Sequence, residues 1–153
     1  MDVNHVNPFI QSFTTVMPQL GFTNVSKGAL SVKGKELVGS GLIIVVGIVG
    51  EIKGNVVYSI DAEHAKKIAS VMMMGMPVEE LDDIAQSAIS ELTNMLTANT
   101  ATFFSNIGII IDISTPTLLR GENITVDMSS SQVLCIELLA DSIPVEINIA
   151  FEE

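Results

Sequence analysis

The chain has 153 residues, 48% of them hydrophobic and 16% charged, and its seven Lys and Arg against eighteen Asp and Glu give a net charge of −11. This composition excludes intrinsic disorder, which needs low hydrophobicity, and predicts a single domain over residues 1–153. The acidic balance argues against nucleic acid and anionic membrane surfaces as partners, because both repel such a protein.

The sequence shows no targeting or membrane-spanning pattern. The N-terminus lacks the basic and apolar regions of a signal peptide, and the longest apolar run, at 42–49, is far shorter than the roughly 20 residues that span a bilayer. Cys135 is the single cysteine, and its apolar neighbours are typical of a core position. His5 and His64 have no partner at metal-ligand spacing. We therefore expect a cytoplasmic protein without a metal or cofactor of its own.

The first third of the chain predicts a helix followed by strands. Apolar residues recur at helical spacing over 4–20, where Asn7 and Pro8 form a favourable N-cap and N1 pair. Alternating and continuous apolar runs separated by glycine turns predict strands between 24 and 60. The run at 42–49 is apolar on both faces, which indicates a central strand.

Two further helices are predicted in the middle of the chain. Asp61 is placed to cap a helix over 62–74, which ends in the methionine cluster 72–76. This cluster is interpreted as packing at a helix end, with an adaptable binding surface as the alternative. A third helix is predicted over 77–105, and the acidic residues of 79–83 in its first turns suit the positive end of the helix dipole.

The last third of the chain predicts strands again, at 108–113, near 118, and at 124–128, 133–139 and 145–151. The final strand alternates, with Val145, Ile147, Ile149 and Phe151 on one face and polar residues on the other. Because helices and strand runs are segregated, the order indicates an α+β fold with an antiparallel sheet. A helix followed by strands occurs twice, which suggests an old internal duplication.

The third helix carries the candidate site. Its predicted core face consists of Leu81, Ala85, Ala88, Leu92, Met95 and Phe103. Ser87, Glu91, Asn94 and Ala98 fall within about 60° of each other and face away from that stripe. This line is either an ordinary polar helix face or a functional one.

Three features favour a function. Asn94 is a poor helix former inside a helix, so its position needs compensation. Glu91 has no Lys or Arg three or four residues away with which to pair. Ala98 leaves the neighbouring surface flat, so another protein can approach closely.

The pattern Ser87-x3-Glu91-x2-Asn94, followed by Pro116, resembles the signature of the CheC/CheX/FliY family. The strings VNPFIQSF, GLIIVVGIVGEIKGNVVYSI, SELTNML and DISTPTLLRG are also similar to family segments, in the same order. The resemblance implies the CheC-like fold, in which long helices pack on one face of an antiparallel sheet with a pseudo-two-fold internal repeat. It also implies dephosphorylation of the chemotaxis response regulator CheY.

The first helix offers no second copy of the motif. The corresponding residues are taken as Ser12, Val16 and Gln19, and Val16 cannot form an ion pair. Family members with two active sites carry Glu-x2-Asn on both helices, so a single site resembles the CheX branch. That branch is homodimeric, and the strands at 42–49 and 145–151 are candidates for the interface.

The resemblance also implies roles for the site residues. Asn94 orients the attacking water, because an amide donates and accepts hydrogen bonds and stays neutral beside the phosphoryl group. Glu91 pairs with a lysine of the regulator, Ser87 is an auxiliary contact, and Pro116 shapes the neighbouring loop. The Mg²⁺ is expected on the response regulator. The alternatives are a non-catalytic binding module for a phosphorylated receiver domain or flagellar-switch-type scaffold, and a purely structural interaction domain.

Overall fold

A seven-stranded antiparallel sheet and three α-helices make up the computed structural model, which describes residues 3–152. A short 3-10 turn at Val3–His5 precedes the first helix. The helices are α1 (Asn7–Gln19), α2 (Ala62–Met72) and α3 (Asp83–Asn106). The strands are β1 (Val25–Lys33), β2 (Glu36–Gly50), β3 (Gly54–Ile60), β4 (Ile111–Ile113), β5 (Thr117–Asp127), β6 (Val133–Ala140) and β7 (Ile143–Phe151). The predicted α+β fold class is confirmed.

The order of the strands is symmetric. Along the sheet it runs β1-β6-β7-β3-β2, and β5 and β4 pair with the outer edge of β2. Exchanging β1 with β5, β2 with β6 and β3 with β7 turns the order β1-β6-β7-β3-β2-β5 into the same order read from the other end, and α1 and α3 are the corresponding helices. The predicted pseudo-two-fold repeat is therefore present in the topology, with its axis between β3 and β7.

All three helices cover one face of the sheet. The main core lies between them and the inward side chains of β2, β3, β6 and β7. At one end, Phe9, Phe104 and Phe151 meet edge to face or tilted, with ring centroids 5.9 to 6.3 Å apart. Such pairs add to the stabilisation from their burial. No helix within residues 3–152 is both long and apolar enough to cross a bilayer.

The opposite face of the sheet is covered in part. A second, smaller cluster of buried residues lies there, formed by Leu37, Ile43, Val57, Met128, Val133 and Ala150. On this face of the last strand, Asn148 is fully buried and donates from Nδ2 to the carbonyl of Val57 at 3.2 Å.

Several predicted boundaries shift. The strand expected at 42–49 is the second half of the longer β2, and the pieces near 118 and at 124–128 form one strand, β5. The second helix ends at Met72, so most of the methionine cluster lies in the following loop. The first helix begins at Asn7, and the residue at its N-cap is Val6.

The strands expected at a dimer interface lie inside the sheet. The segment 42–49 pairs with β3 on one side and with β4 and β5 on the other. The segment 145–151 pairs with β3 and β6. Because their backbone groups are already paired, neither segment offers a free edge.

Candidate functional site

The start of α3 is fixed by polar contacts from the preceding loop and from β5. Asp82 is the N-cap, and its carboxylate accepts the backbone N–H of Ala85 at 2.9 Å. The carbonyl of Leu81 accepts from Gln86 Nε2 at 2.6 Å and from Arg120 Nη1 at 2.7 Å. The helix begins later than predicted, because residues 77–81 form this anchored loop.

Hydrogen bonds from buried hydroxyls fix the orientation of α3 about its own axis. Tyr58 of β3 donates its hydroxyl to Thr97 Oγ1 at 2.8 Å, and Thr97 donates in turn to the carbonyl of Thr93 at 2.7 Å. Ser12 of α1 donates to the carbonyl of Leu96 at 2.5 Å. These contacts tie the inner face of α3 to the sheet and to α1, so the opposite face points consistently to solvent.

The core face of α3 differs from the prediction. Leu81, Ala85 and Leu92 are buried as expected, whereas Ala88, Met95 and Phe103 are half-buried. The buried residues of the helix are Ala85, Ile89, Leu92, Thr93, Leu96, Thr97, Thr100 and Phe104. The core face is thus rotated by about 80° from the predicted stripe, and it lies more directly opposite the candidate site.

The predicted site line is on the surface. Ser87, Glu91 and Ala98 are exposed, and Asn94 is half-buried. Within residues 3–152, the side chains of Ser87, Glu91 and Asn94 make no hydrogen bond or ion pair with the rest of the chain. A carboxylate and an amide therefore stand one helical turn apart with their polar atoms available to a partner.

These side chains form one wall of a shallow depression of about 320 Å³. Its lining residues are Ser87, Ser90, Glu91, Asn94, Thr115 and Pro116. Ala98 lies on the same line of the helix but outside this depression. The structure thus brings together four of the five predicted site residues.

The second wall is a loop tied to the central sheet. Pro116 lies between β4 and β5, next to Thr115. The backbone N–H of Ser114 donates to the carbonyl of Gly47 at 2.9 Å, and the N–H of Gly47 donates to Ser114 Oγ at 2.8 Å. This reciprocal pair holds the loop against β2 and so fixes the wall opposite α3.

Two lining residues, Ser90 and Thr115, were not predicted. Ser90 lies three residues after Ser87 and is half-buried at the edge of the line, so its helical spacing offered a weak signal. Thr115 comes from another element, and only its position next to Pro116 in the sequence pointed to it.

The counterpart face on α1 differs from the predicted register. Ser12 and Val16 are buried against the core, and the exposed residues at the same spacing are Gln11, Thr15 and Pro18. Proline occupies the position that corresponds to Asn94, and the helix carries no carboxylate. The site on α3 has no chemical equivalent on α1.

The arrangement suits the positioning of a water molecule. The amide of Asn94 has two donors and an acceptor to offer, and the carboxylate of Glu91 can take a cationic group of a partner. Among the described residues, no group of three or more His, Cys, Asp or Glu side chains could hold a metal ion.

Comparison with known proteins gives the family. The family model described as chemotaxis phosphatase CheX matches residues 42–139. A CheY-P phosphatase CheX from Thermotoga maritima is 36% identical over 127 residues, which cover 82% of this chain and 81% of the relative.

Two solved structures show the same fold. A CheC-like superfamily protein from Shewanella sp. PV-4 has a TM-score of 0.84 and 26% identity, with 100% of both chains covered. A CheX–CheY–BeF3–Mg²⁺ complex from Borrelia burgdorferi contains a chain with a TM-score of 0.82 and 24% identity, covering 97% of this chain and 98% of that one. These structures show the fold, and the family model and the curated relative show the family. The chain belongs to the CheX family of chemotaxis phosphatases.

Proposed function

We propose that this protein hydrolyses the aspartyl phosphate of a CheY-like response regulator. The observation that carries the proposal is the surface-facing pair Glu91 and Asn94 on α3, which has no hydrogen-bond or ion-pair partner within residues 3–152 and lies beside Pro116 in one depression of a CheX-family chain. The relative from Thermotoga maritima is a CheY-P phosphatase, which supports the same substrate class.

Asn94 is assigned the orientation of the attacking water. Phosphoryl transfer depends mainly on placement and electrostatics, so a helper protein contributes most by holding water in line with the bond that breaks. A neutral amide can accept a hydrogen bond from the water and donate one to a phosphoryl oxygen, whereas a carboxylate at this position would repel the phosphoryl group. The half-buried setting of Asn94 limits the positions its amide can take.

Glu91 is assigned the docking contact. Its carboxylate is exposed and has no partner in the described part of the chain, so it is available to pair with a lysine of the regulator. Ser87 and Ala98 extend the contact along α3, and Pro116 with its anchored loop limits how the regulator can approach. We assign the Mg²⁺ of the reaction to the regulator.

The decisive substitution is Asn94→Ala. The stimulated release of phosphate from a phosphorylated CheY-like regulator should fall by about 10²-fold or more, because positioning contributes several kcal/mol to such a step. Thermal unfolding should be nearly unchanged, since the amide makes no hydrogen bond within residues 3–152. A folded Asn94→Ala protein that still accelerates phosphate loss would refute the assignment. Counting phosphate released per protein also separates turnover from binding alone.

Glu91→Ala is the matched comparison. Loss of a docking carboxylate weakens binding of the regulator, so raising the regulator concentration should restore much of the rate for Glu91→Ala and none for Asn94→Ala. If both variants lose the maximal rate equally, Glu91 acts in the chemical step and the docking role is wrong.

We further propose that the protein forms a homodimer through the region of β1. In the described part of the chain this edge strand pairs only with β6; none of its residues is buried, and Leu30 and Val32 are 54% and 73% exposed. A groove of about 270 Å³ lies beside them, lined by Val6, Asn7, Ile10, Lys27, Leu30, Val32, Gln132, Val133 and Leu134. Its mostly apolar lining favours cover by a second copy.

A cytoplasmic location is also proposed. Cys135, the sole cysteine of the sequence, is buried and unpaired, as is common in reducing compartments. Cell fractionation tests this location, and recovery of the protein outside the cytosolic fraction would contradict it.

A further inference from the structure

Ile84 is an exposed apolar residue on the same line of α3 as the candidate site. Its exposed fraction is 65%, and it lies in the first turn of the helix, just after Asp83. Seven residues separate it from Glu91, so the two side chains point within about 20° of each other and lie roughly 10 Å apart along the axis. The line of the site therefore begins at Ile84, one turn before Ser87.

The contacts that start the helix do not account for this residue. The N-cap function is performed by Asp82, and the preceding loop is held by the carbonyl of Leu81 with Gln86 and Arg120. The core face of α3 lies on the opposite side and is complete without Ile84. A single exposed isoleucine is common on protein surfaces. Ile84 differs because it lies on the same face of α3 as Ser87 and Glu91.

The size of a protein interface supports a contact at Ile84. A standard complex buries about 800 Å² on each partner, which corresponds to a patch about 16 Å in radius. A regulator centred on Glu91 and Asn94 therefore covers a residue roughly 10 Å away along the helix. Covering an exposed isoleucine removes apolar area from water and favours association.

We propose that Ile84 is a specificity-determining anchor that binds an apolar patch of the receiver domain. The inference rests on the proposed function and deepens it, because it states which regulator fits. The cognate receiver domain has an apolar surface roughly 10 Å from the lysine that pairs with Glu91, and a regulator with charged residues there is a poor substrate.

Ile84→Ser tests the proposal, and serine has about the same helix propensity as isoleucine. With the phosphorylated regulator as substrate, Ile84→Ser should raise the KM for the regulator about tenfold and leave kcat within about twofold, as expected from partial loss of the free energy of burying an isoleucine. Ile84→Leu should restore the KM to within about threefold of the native value. Ile107→Ser is the matched control, because Ile107 is 53% exposed at the other end of α3, and it should leave both constants unchanged.

The outcomes separate this inference from the proposed function. If the native protein releases phosphate and Ile84→Ser has the native KM, the anchor is wrong and the phosphatase function stands. If Ile107→Ser raises the KM as much as Ile84→Ser, the effect is not specific to the site line and the anchor is also wrong. If the native protein neither binds nor dephosphorylates any receiver domain, the proposed function itself fails.

Discussion

At the scale of single residues, Lys33 and Glu146 control each other's ionisation on the face of the sheet away from the helices. Their Nζ and Oε1 atoms are 2.5 Å apart, and the side chains are 34% and 37% exposed. Burial raises the pKa of Glu146, but the hydrogen bond and charge of Lys33 outweigh it and the pKa falls below 4.5. Burial likewise lowers the pKa of Lys33, and Glu146 outweighs this and raises it above 10.5.

The ion pair of Lys33 and Glu146 should contribute its full stabilisation only between pH 4.5 and pH 10.5. A carboxyl with a depressed pKa contributes stability above its ordinary value of 4.5 and loses it as the pH falls. A lysine with a raised pKa contributes below 10.5 and loses it as the pH rises further. Glu146→Gln should therefore reduce the free energy of unfolding by about 0.5 kcal/mol at pH 7, since solvent screens the pair. Urea unfolding should show this difference shrinking as the pH is lowered below 4.5; a difference that grows there would contradict the sign.

Residue types and spacing were enough to predict that Glu91 and Asn94 face solvent, because helical periodicity places them together. They could not predict the depression beside them. Its other wall comes from a loop after β4, and the hydrogen bonds between Ser114 and Gly47 that fix this loop join residues far apart in the sequence.

At the scale of elements, α3 is held through hydroxyls as well as apolar side chains. Thr93, Thr97 and Thr100 are buried, and each donates its hydroxyl to a carbonyl three or four residues earlier. A pattern of apolar residues does not count threonine as core, so the predicted core stripe was displaced towards Ala88 and Met95. Once a threonine hydroxyl is bonded within its own helix, the side chain packs much as valine does.

The hydrogen bond between Tyr58 and Thr97 predicts which of two substitutions reduces stability more. Since Thr97 donates to Thr93, its oxygen accepts from the hydroxyl of Tyr58. Thr97→Val leaves that buried hydroxyl without an acceptor and should reduce stability by about 1–3 kcal/mol. Tyr58→Phe removes the donor instead and should reduce it by about 0.5–1.5 kcal/mol.

Chemical denaturation of the two single variants and the double variant tests this order. The double variant should lose less stability than the sum of the single losses, because no hydroxyl is then left unpaired. A larger loss for Tyr58→Phe than for Thr97→Val would reverse the assignment of donor and acceptor.

At the scale of the whole molecule, the two halves of the sheet correspond in topology, but their edges differ in chemistry. Both outer strands, β1 and β5, have no buried residue. On β1, Leu30 and Val32 are 54% and 73% exposed beside the groove, whereas the most exposed apolar residue of β5 is Leu119, at 38%, and its other large apolar residues Leu118, Ile124 and Val126 are half-buried. Sequence periodicity predicted the strands and the repeat, and it could not tell which strands are outermost, since that depends on pairing across the chain.

This difference in the edges yields a test of the dimer. If a second copy covers β1, Val32→Lys places a charge in an apolar contact and should convert the dimer to monomer, as measured by sedimentation equilibrium at micromolar concentrations. Val49→Lys is the control, because Val49 is 55% exposed on β2 within the segment 42–49, whose backbone is paired on both sides. A charge at Val49 should leave the dimer intact.

The opposite result, dissociation by Val49→Lys and not by Val32→Lys, would place the interface at β2 and not at β1.

The salt dependence of the dimer gives a second test of the same contact. Each copy carries a net charge of −11, so the two copies repel at long range, and added salt should strengthen a dimer held by apolar surface. A dimer that weakens steadily with salt would depend on ion pairs, which the apolar groove beside β1 does not explain.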